Sequence, residues 1–168
     1  MAEQRTRFLG TYHHGIDEKG RMVLPAKIRA QLGETAILAK LDGCIGLFTP
    51  EGFDKVAARF EDALDEAEAA DDDEAIRKAL KALRRFTADA VEVTPDQQGR
   101  IVIPAVLRAY AGLESEVVTN GVLRRAEIWA KERWEADEDE SDQEVARTAA
   151  RRGLTRGRGE RERVDAEA

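Results

Sequence analysis

The residues with the most chemical capacity are two aspartate–arginine pairs set around glycines, Asp17-Glu-Lys-Gly-Arg21 and Asp96-Gln-Gln-Gly-Arg100. An aspartate in this position can accept hydrogen bonds from backbone amides further along, and Gly20 or Gly99 can take positive φ without steric cost. Each segment therefore reads as a tight turn. Arg21 and Arg100 begin short β-prone runs directly after the turn, where a guanidinium can reach a phosphate or a guanine edge. The plainer reading is an ion pair that staples the turn, and the two are compatible, because an aspartate that orients an arginine also presents it. Lys19 and Lys27 suit phosphate contacts by sign and position, although a solvated lysine on a turn or helix face is the common case. Arg29 and Arg108 fall near the ends of short helical segments, where a cation complements the helix dipole.

Other residues offer less. His13 and His14 are adjacent on a β-prone run, so they point to opposite faces and cannot chelate one metal ion together. With Arg5 and Arg7 they add positive potential, the histidines only when protonated. Cys44 is the single cysteine, with no second cysteine or histidine spaced as a zinc ligand, and reads as a small buried hydrophobe. There is no glycine-rich phosphate loop, no serine in a nucleophile elbow and no histidine partnered to the cysteine. An enzyme is not expected, nor are a cofactor, a metal site or a small-molecule substrate.

The net charge of −7 would argue against a polyanionic partner if it were evenly spread. It is not. Residues 51–88 and 135–168 each hold 11 acidic and 7 basic side chains, whereas residues 1–50 hold 7 basic against 5 acidic. Any surface for a polyanion must be local, and the region around Asp17 is better placed than that around Asp96. No apolar run approaches the roughly 20 residues that cross a bilayer, and Met1 to Arg7 lacks the apolar stretch of a signal peptide. The expected address is the cytoplasm, without a membrane partner.

The elements that must position these residues come in duplicate. An offset of 79 positions aligns Asp17–Ala30 with Asp96–Ala109, with eight of 14 residues identical and Met22/Ile101, Leu24/Ile103 and Ile28/Leu107 exchanging apolar side chains. With two extra residues in the second copy after Gly112, Leu47-Phe48 aligns with Ile128-Trp129, and Phe53 with Trp134. These aromatics at equivalent places suit a core or subunit interface. Arg21–Leu24 and Arg100–Ile103 read as strands, with Tyr12–Ile16 and Ala90–Thr94 as their hairpin partners. Pro25 and Pro104 fit the first turn of a helix about two turns long, and Gly33 and Gly112 fit just past its end. Two further strands follow in each copy, Ala36–Leu41 with Cys44–Phe48 and Val117–Thr119 with Leu123–Trp129, hinged at Asp42-Gly43 and Asn120-Gly121. Modules of about 45 residues seldom carry enough core to fold alone, so the copies are expected to pair. Between them, apolar residues recur at helical spacing from Phe53 to Ala67 and from Ile76 to Phe86, which predicts a helical hairpin. After Trp134 a charged tail ends in Arg151-Arg-Gly-Leu-Thr-Arg-Gly-Arg-Gly159 and is expected to be disordered beyond about residue 145.

These residues resemble the swapped-hairpin DNA-binding family SpoVT-AbrB. The match rests on Phe8-Leu-Gly10, on Asp17, Gly20 and Arg21 running into Val23, Pro25 and Arg29, on the same signature at Asp96, Gly99, Arg100, Pro104 and Arg108, and on Glu127–Trp134. It covers roughly residues 7–135. The resemblance, in a two-copy chain, implies an α+β, mainly β fold, with tandem swapped-hairpin modules forming a pseudo-dimeric β-barrel. It also implies assembly into a homo-oligomeric ring and binding of double-stranded DNA at short direct repeats upstream of the regulator's own cell-division and cell-wall operon.

The resulting expectation is a nucleoid-associated transcriptional regulator, a repressor, in which repeated weak modules gain affinity by avidity. Its modules span residues 8–51 and 90–133, joined by a helical hairpin at 52–88 and followed by a tail at 135–168. The candidate DNA contacts are Arg21, Lys19, Lys27, Arg100 and Arg29, with Asp17, Gly20, Asp96 and Gly99 shaping the turns and orienting the arginines. The copies differ, since Gln97-Gln98 stands where the first has Glu18-Lys19, and Val106 replaces Lys27. The competing expectation is a protein-interaction scaffold that uses the duplicated barrel and the acidic hairpin.

Overall fold

The computed structural model describes residues 5–152. Each copy of the repeat gives the same order of elements: β1 (Thr11–Gly15), β2 (Arg21–Val23), α1 (Ala26–Arg29), β3 (Ala36–Lys40) and β4 (Ile45–Phe48) in the first. The second gives β5 (Val91–Val93), β6 (Arg100–Val102), α4 (Ala105–Ala111), β7 (Glu116–Gly121) and β8 (Ala126–Ala130). Between them lie α2 (Pro50–Ala69) and α3 (Asp73–Thr87), and α5 (Lys131–Arg151) follows the second copy. The fold is mixed rather than mainly β, because α2, α3 and α5, with 20, 15 and 21 residues, outweigh the short strands.

The strands form a six-stranded sheet in the order β1-β7-β8-β4-β3-β5 and a separate two-stranded ribbon of β2 and β6, all paired antiparallel. The expected hairpins of β1 with β2 and of β5 with β6 do not form. β1 pairs with β7 from Thr11↔Asn120 to Gly15↔Glu116, β5 pairs with β3, and β2 pairs with β6. The turn itself closes, with Asp17 N–H donating to Arg21 O and Gly20 N–H to Asp17 O, both at 3.0 Å, but the pairing goes no further along the two strands. The preceding Ile16 N–H is already given to Ser115 O of the other copy.

Side-chain alternation explains the packing. Met22 and Ile101, directly opposite one another in the ribbon, are each only 2% exposed. They join Leu24, Ile103, Ile28 and Leu107 in one cluster with Phe8, Leu38, Ile45, Leu47, Val117 and Ile128 of the sheet. All three apolar exchanges between the copies are therefore core positions. β4 and β8 meet at the centre of the sheet, with Ile45 opposite Ile128.

The helical hairpin begins at Thr49, whose hydroxyl accepts from Gly52 N–H at 3.0 Å. Its second helix begins at Asp72, which accepts from Ala75 N–H at 3.0 Å. It docks through phenylalanines: the Phe86 ring stacks on Phe53 at 5.0 Å and on Phe60 at 4.9 Å and meets Phe48 of β4 edge-on at 6.3 Å. Cys44 is buried.

Several boundaries differ from expectation. The helix after Pro25 is a single turn, and Pro25 and Pro104 precede the first helical residue with extended ψ instead of occupying it. Gly112 takes the left-handed position at the end of α4, whereas Gly33 is not at a positive φ. Asn120-Gly121 continues β7, and the reversal lies at Val122–Arg125, where Val122 N–H donates to Arg125 O and Leu123 has φ +62°. Gly121 is required for another purpose: a Cβ there would lie 2.3 Å from Leu9 N. Residues 135–151, expected within a disordered tail, are helical in α5, in line with a segment rich in Ala and Glu. Most of the Arg/Gly-rich run, from residue 153 onward, lies outside the described residues.

Truncation of the hairpin's anchor should be costly. Phe86→Ala is expected to lower stability by about 3–5 kcal/mol in urea denaturation, in line with large-to-small core changes. A loss below about 1 kcal/mol would show that this ring does not fasten the hairpin to the sheet.

Candidate nucleic-acid interface

The two aspartate turns are built alike. Asp17 Oδ1 accepts from the N–H groups of Lys19 and Arg21 at 3.0 and 2.9 Å, and Oδ2 accepts from Arg21 Nε at 2.7 Å. Asp96 Oδ1 accepts from Gln98 and Arg100 N–H, each at 2.9 Å, and Oδ2 from Arg100 Nε at 2.8 Å. The Arg21 backbone N–H, and then its guanidinium, hold the Asp17 carboxyl below its ordinary range, and Arg100 does the same for Asp96. Both ion pairs are exposed, so their main consequence is orientation. They engage Nε, so neither pair occupies the terminal guanidinium nitrogens, the edge suited to bidentate recognition of phosphate or guanine.

The ribbon places the two arginines together. Residues 22 and 101 point inward, so Arg21, Val23, Arg100 and Val102 share the outward face, with Arg21 opposite Val102 and Val23 opposite Arg100. Strand geometry puts such diagonal neighbours roughly 7–8 Å apart. Leu24 N–H donates to Gly99 O at 2.9 Å and Ile103 N–H to Gly20 O at 2.8 Å, which extends the pairing into both turns. Gly20 has φ +81°, and a Cβ there would come within 2.5 Å of Ile103 O, so only glycine allows the other copy so close.

The helix arginines have a role that composition did not reveal. Arg29 Nη2 donates to Asp96 O at 3.3 Å, Arg108 Nη1 donates to Glu18 O at 3.3 Å, and Arg108 Nε donates to Ile103 O at 3.0 Å. Each braces the turn of the opposite copy instead of simply complementing its own helix dipole. The only signal in the sequence was their equivalent position in the repeat. Lys19 lies on the first turn and is exposed, Gln98 takes its place on the second, and Lys27 is exposed on α1, outside the ribbon. The structure thus brings Arg21, Arg100, Lys19 and Arg29 to the ribbon and its turns, and places Lys27, exposed, on the same short helix as Arg29.

His14 contributes less charge than its type suggests. Its Nε2 lies 2.7 Å from Thr119 Oγ1, and burial lowers its pKa below 6.5, which keeps the ring neutral near pH 7. Among the described residues no group of three or more His, Cys, Asp or Glu side chains is placed to hold a metal ion. None of the described helices is long and apolar enough to cross a membrane.

The family described as "MraZ protein, putative antitoxin-like" matches residues 7–75 and 86–157. The protein named transcriptional regulator MraZ from Lachnoclostridium phytofermentans is 36% identical over 149 residues, 88% of this chain and 99% of that protein. Its namesake from Acetivibrio thermocellus is 39% identical over 152 residues, 88% and 99% of the two chains. A third, from Bifidobacterium longum, is 39% identical over 150 residues, 87% and 94%.

The depressed carboxyl pKa values give the turns a definite pH dependence. A carboxyl held below its unfolded value of about 3.8 contributes fully above that value, and its contribution fades as pH falls through the lower folded value. The Arg21 and Arg100 amides should therefore stay protected from hydrogen exchange from pH 7 down to about pH 4 and lose protection below it. Asp17→Ala, which removes the accepting oxygens, should expose the Lys19 and Arg21 amides at neutral pH while the core amides stay protected. Unchanged exchange at those two amides would refute the anchoring role.

Proposed function

Because this chain belongs to the MraZ family, we propose that it is a DNA-binding transcriptional regulator, a repressor, that lays the β2–β6 ribbon on double-stranded DNA. The observation that carries this reading is the outward face of the ribbon, where two aspartate-oriented arginines stand as diagonal neighbours with their terminal nitrogens clear of the ion pairs. A two-stranded ribbon fits the major groove, and a bidentate guanidinium matches a guanine edge. Arg21 and Arg100 read bases, Lys19 and Lys27 contact phosphates, and Arg29 combines a contact at the flank with bracing of the second turn. Asp17, Gly20, Asp96 and Gly99 hold the turns. The family's relatives are named as regulators, and the reading requires no catalytic step, cofactor or small-molecule substrate.

The finer features belong to the same proposal. The exchanged pairing of β1 and β5 with the opposite copies supports a swapped-hairpin pseudo-dimer closing as a barrel. Copies of this chain assemble as a ring on short direct repeats upstream of their own cell-division and cell-wall operon, in the cytoplasm and on the nucleoid. Avidity then compensates for a modest charge on each subunit.

Fluorescence anisotropy of the purified full chain on its own upstream duplex, across a salt series, tests the reading. Affinity should fall linearly on log–log axes, with a slope of about −0.9 per phosphate contacted. Arg21→Ala should weaken binding by about tenfold or more, within the range for removal of a bidentate arginine from a guanine edge. Arg100→Ala should weaken it less, since no lysine stands beside it on its turn. Salt-independent binding, or both variants binding as wild type, would return the chain to the scaffold reading. Light scattering that finds a monomer at micromolar concentration would remove the avidity argument.

A further inference from the structure

The outward face of the ribbon consists of two arginines and two valines, and the arginines account for only half of it. Val23 and Val102 are each 53% exposed, they occupy equivalent positions in the two copies, and each lies directly across the ribbon from an arginine of the other copy. A single exposed valine needs no explanation. Two pseudo-symmetric valines set between the cations of a proposed binding face are a different matter. Threonine would serve β-structure there equally and keep the face hydrated.

We propose that Val23 and Val102 pack against thymine 5-methyl groups in the major groove, so that the ribbon reads guanine edges with Arg21 and Arg100 and thymine with its valines. The inference rests on the DNA-binding reading above and assigns part of its sequence specificity. Apolar side chains recognise thymine through this methyl, which the major groove alone displays. The spacing is suitable. Two residues along a strand advance about 6.6–6.8 Å, comparable to two base-pair steps of about 3.4 Å, so Arg21 and Val23 of one strand can address bases two steps apart. The ribbon's near-twofold arrangement repeats that pairing with Arg100 and Val102. The turns keep the arrangement rigid, because both arginines are tied at Nε and both glycine carbonyls are bonded across the ribbon. If the valines merely supported the arginine stems across the strands, removing the thymine methyl would not be felt.

The test uses the full chain and its upstream duplex made in two forms, one with thymine and one with uracil throughout, which preserves base pairing and removes only the methyl groups. Wild type should bind the uracil duplex more weakly, by about fourfold for each thymine methyl that a valine covers. The Val23→Ser/Val102→Ser double variant, which has no methyl to offer, should bind the two duplexes alike, and each single variant should fall between. Both valines are solvent-exposed, and circular dichroism should show the fold intact. Equal binding of both duplexes by wild type overturns the proposal, as does a double variant that discriminates as wild type does. Failure of wild type to bind the thymine duplex at all would instead remove the DNA-binding reading and this inference with it.

Discussion

Neither three-residue strand of the ribbon can bury its one inward side chain alone, and the pairing of β2 with β6 is the constraint on which the rest depends. Met22 and Ile101 leave water only by facing one another above the sheet. That packing requires the two copies to lie close enough that Gly20 and Gly99 bond to the opposite copy. Close approach then dictates glycine at position 20, where any Cβ would strike Ile103 O, and puts Arg29 and Arg108 within reach of the opposite turns. The same exchange operates in the sheet, where β1 extends β7 and β5 extends β3. A module of this size has too little interior to be stable by itself, and one shared core removes that difficulty.

The same constraint decides where charge can act. A chain of net charge −7 repels a polyanion at long range, but exposed charges separated by more than a Debye length of about 8–10 Å are largely screened. Much of the acidity lies on α2, α3 and α5, away in sequence from the ribbon turns. Asp17 and Asp96 do sit beside the arginines, yet each carboxylate is engaged by two backbone N–H groups and a guanidinium Nε. They act as rigid supports, and the terminal nitrogens of the guanidinium define what the face presents.

Much of this was legible in the sequence, for physical reasons that can be named. The 79-residue offset located the turns, the arginines and the shared core, since identity at Asp17/Asp96 and Gly20/Gly99 reflects turn geometry and apolar exchange at Met22/Ile101 reflects burial. Which strand pairs with which was not legible, because a local hairpin and a cross-copy ribbon show the same alternation of side chains. Asn120-Gly121 has the composition of a turn yet continues β7, because Gly121 is needed to admit the Leu9 backbone. The bracing role of Arg29 and Arg108 was hidden because it is a long-range interaction, joining residues 67 and 90 positions apart.

What the two copies share is mechanical, and where they differ is electrostatic. Both turns have the same carboxylate bonding and the same glycine conformation, and each is braced by an arginine of the opposite helix, although on different carbonyls, Asp96 O for Arg29 and Glu18 O for Arg108. Only the first carries Lys19, and only α1 carries Lys27 where α4 has Val106. A duplex presents equivalent phosphates in either orientation, so on the proposed reading Lys19 strengthens the contact without choosing an orientation, and any preference must come from the base contacts.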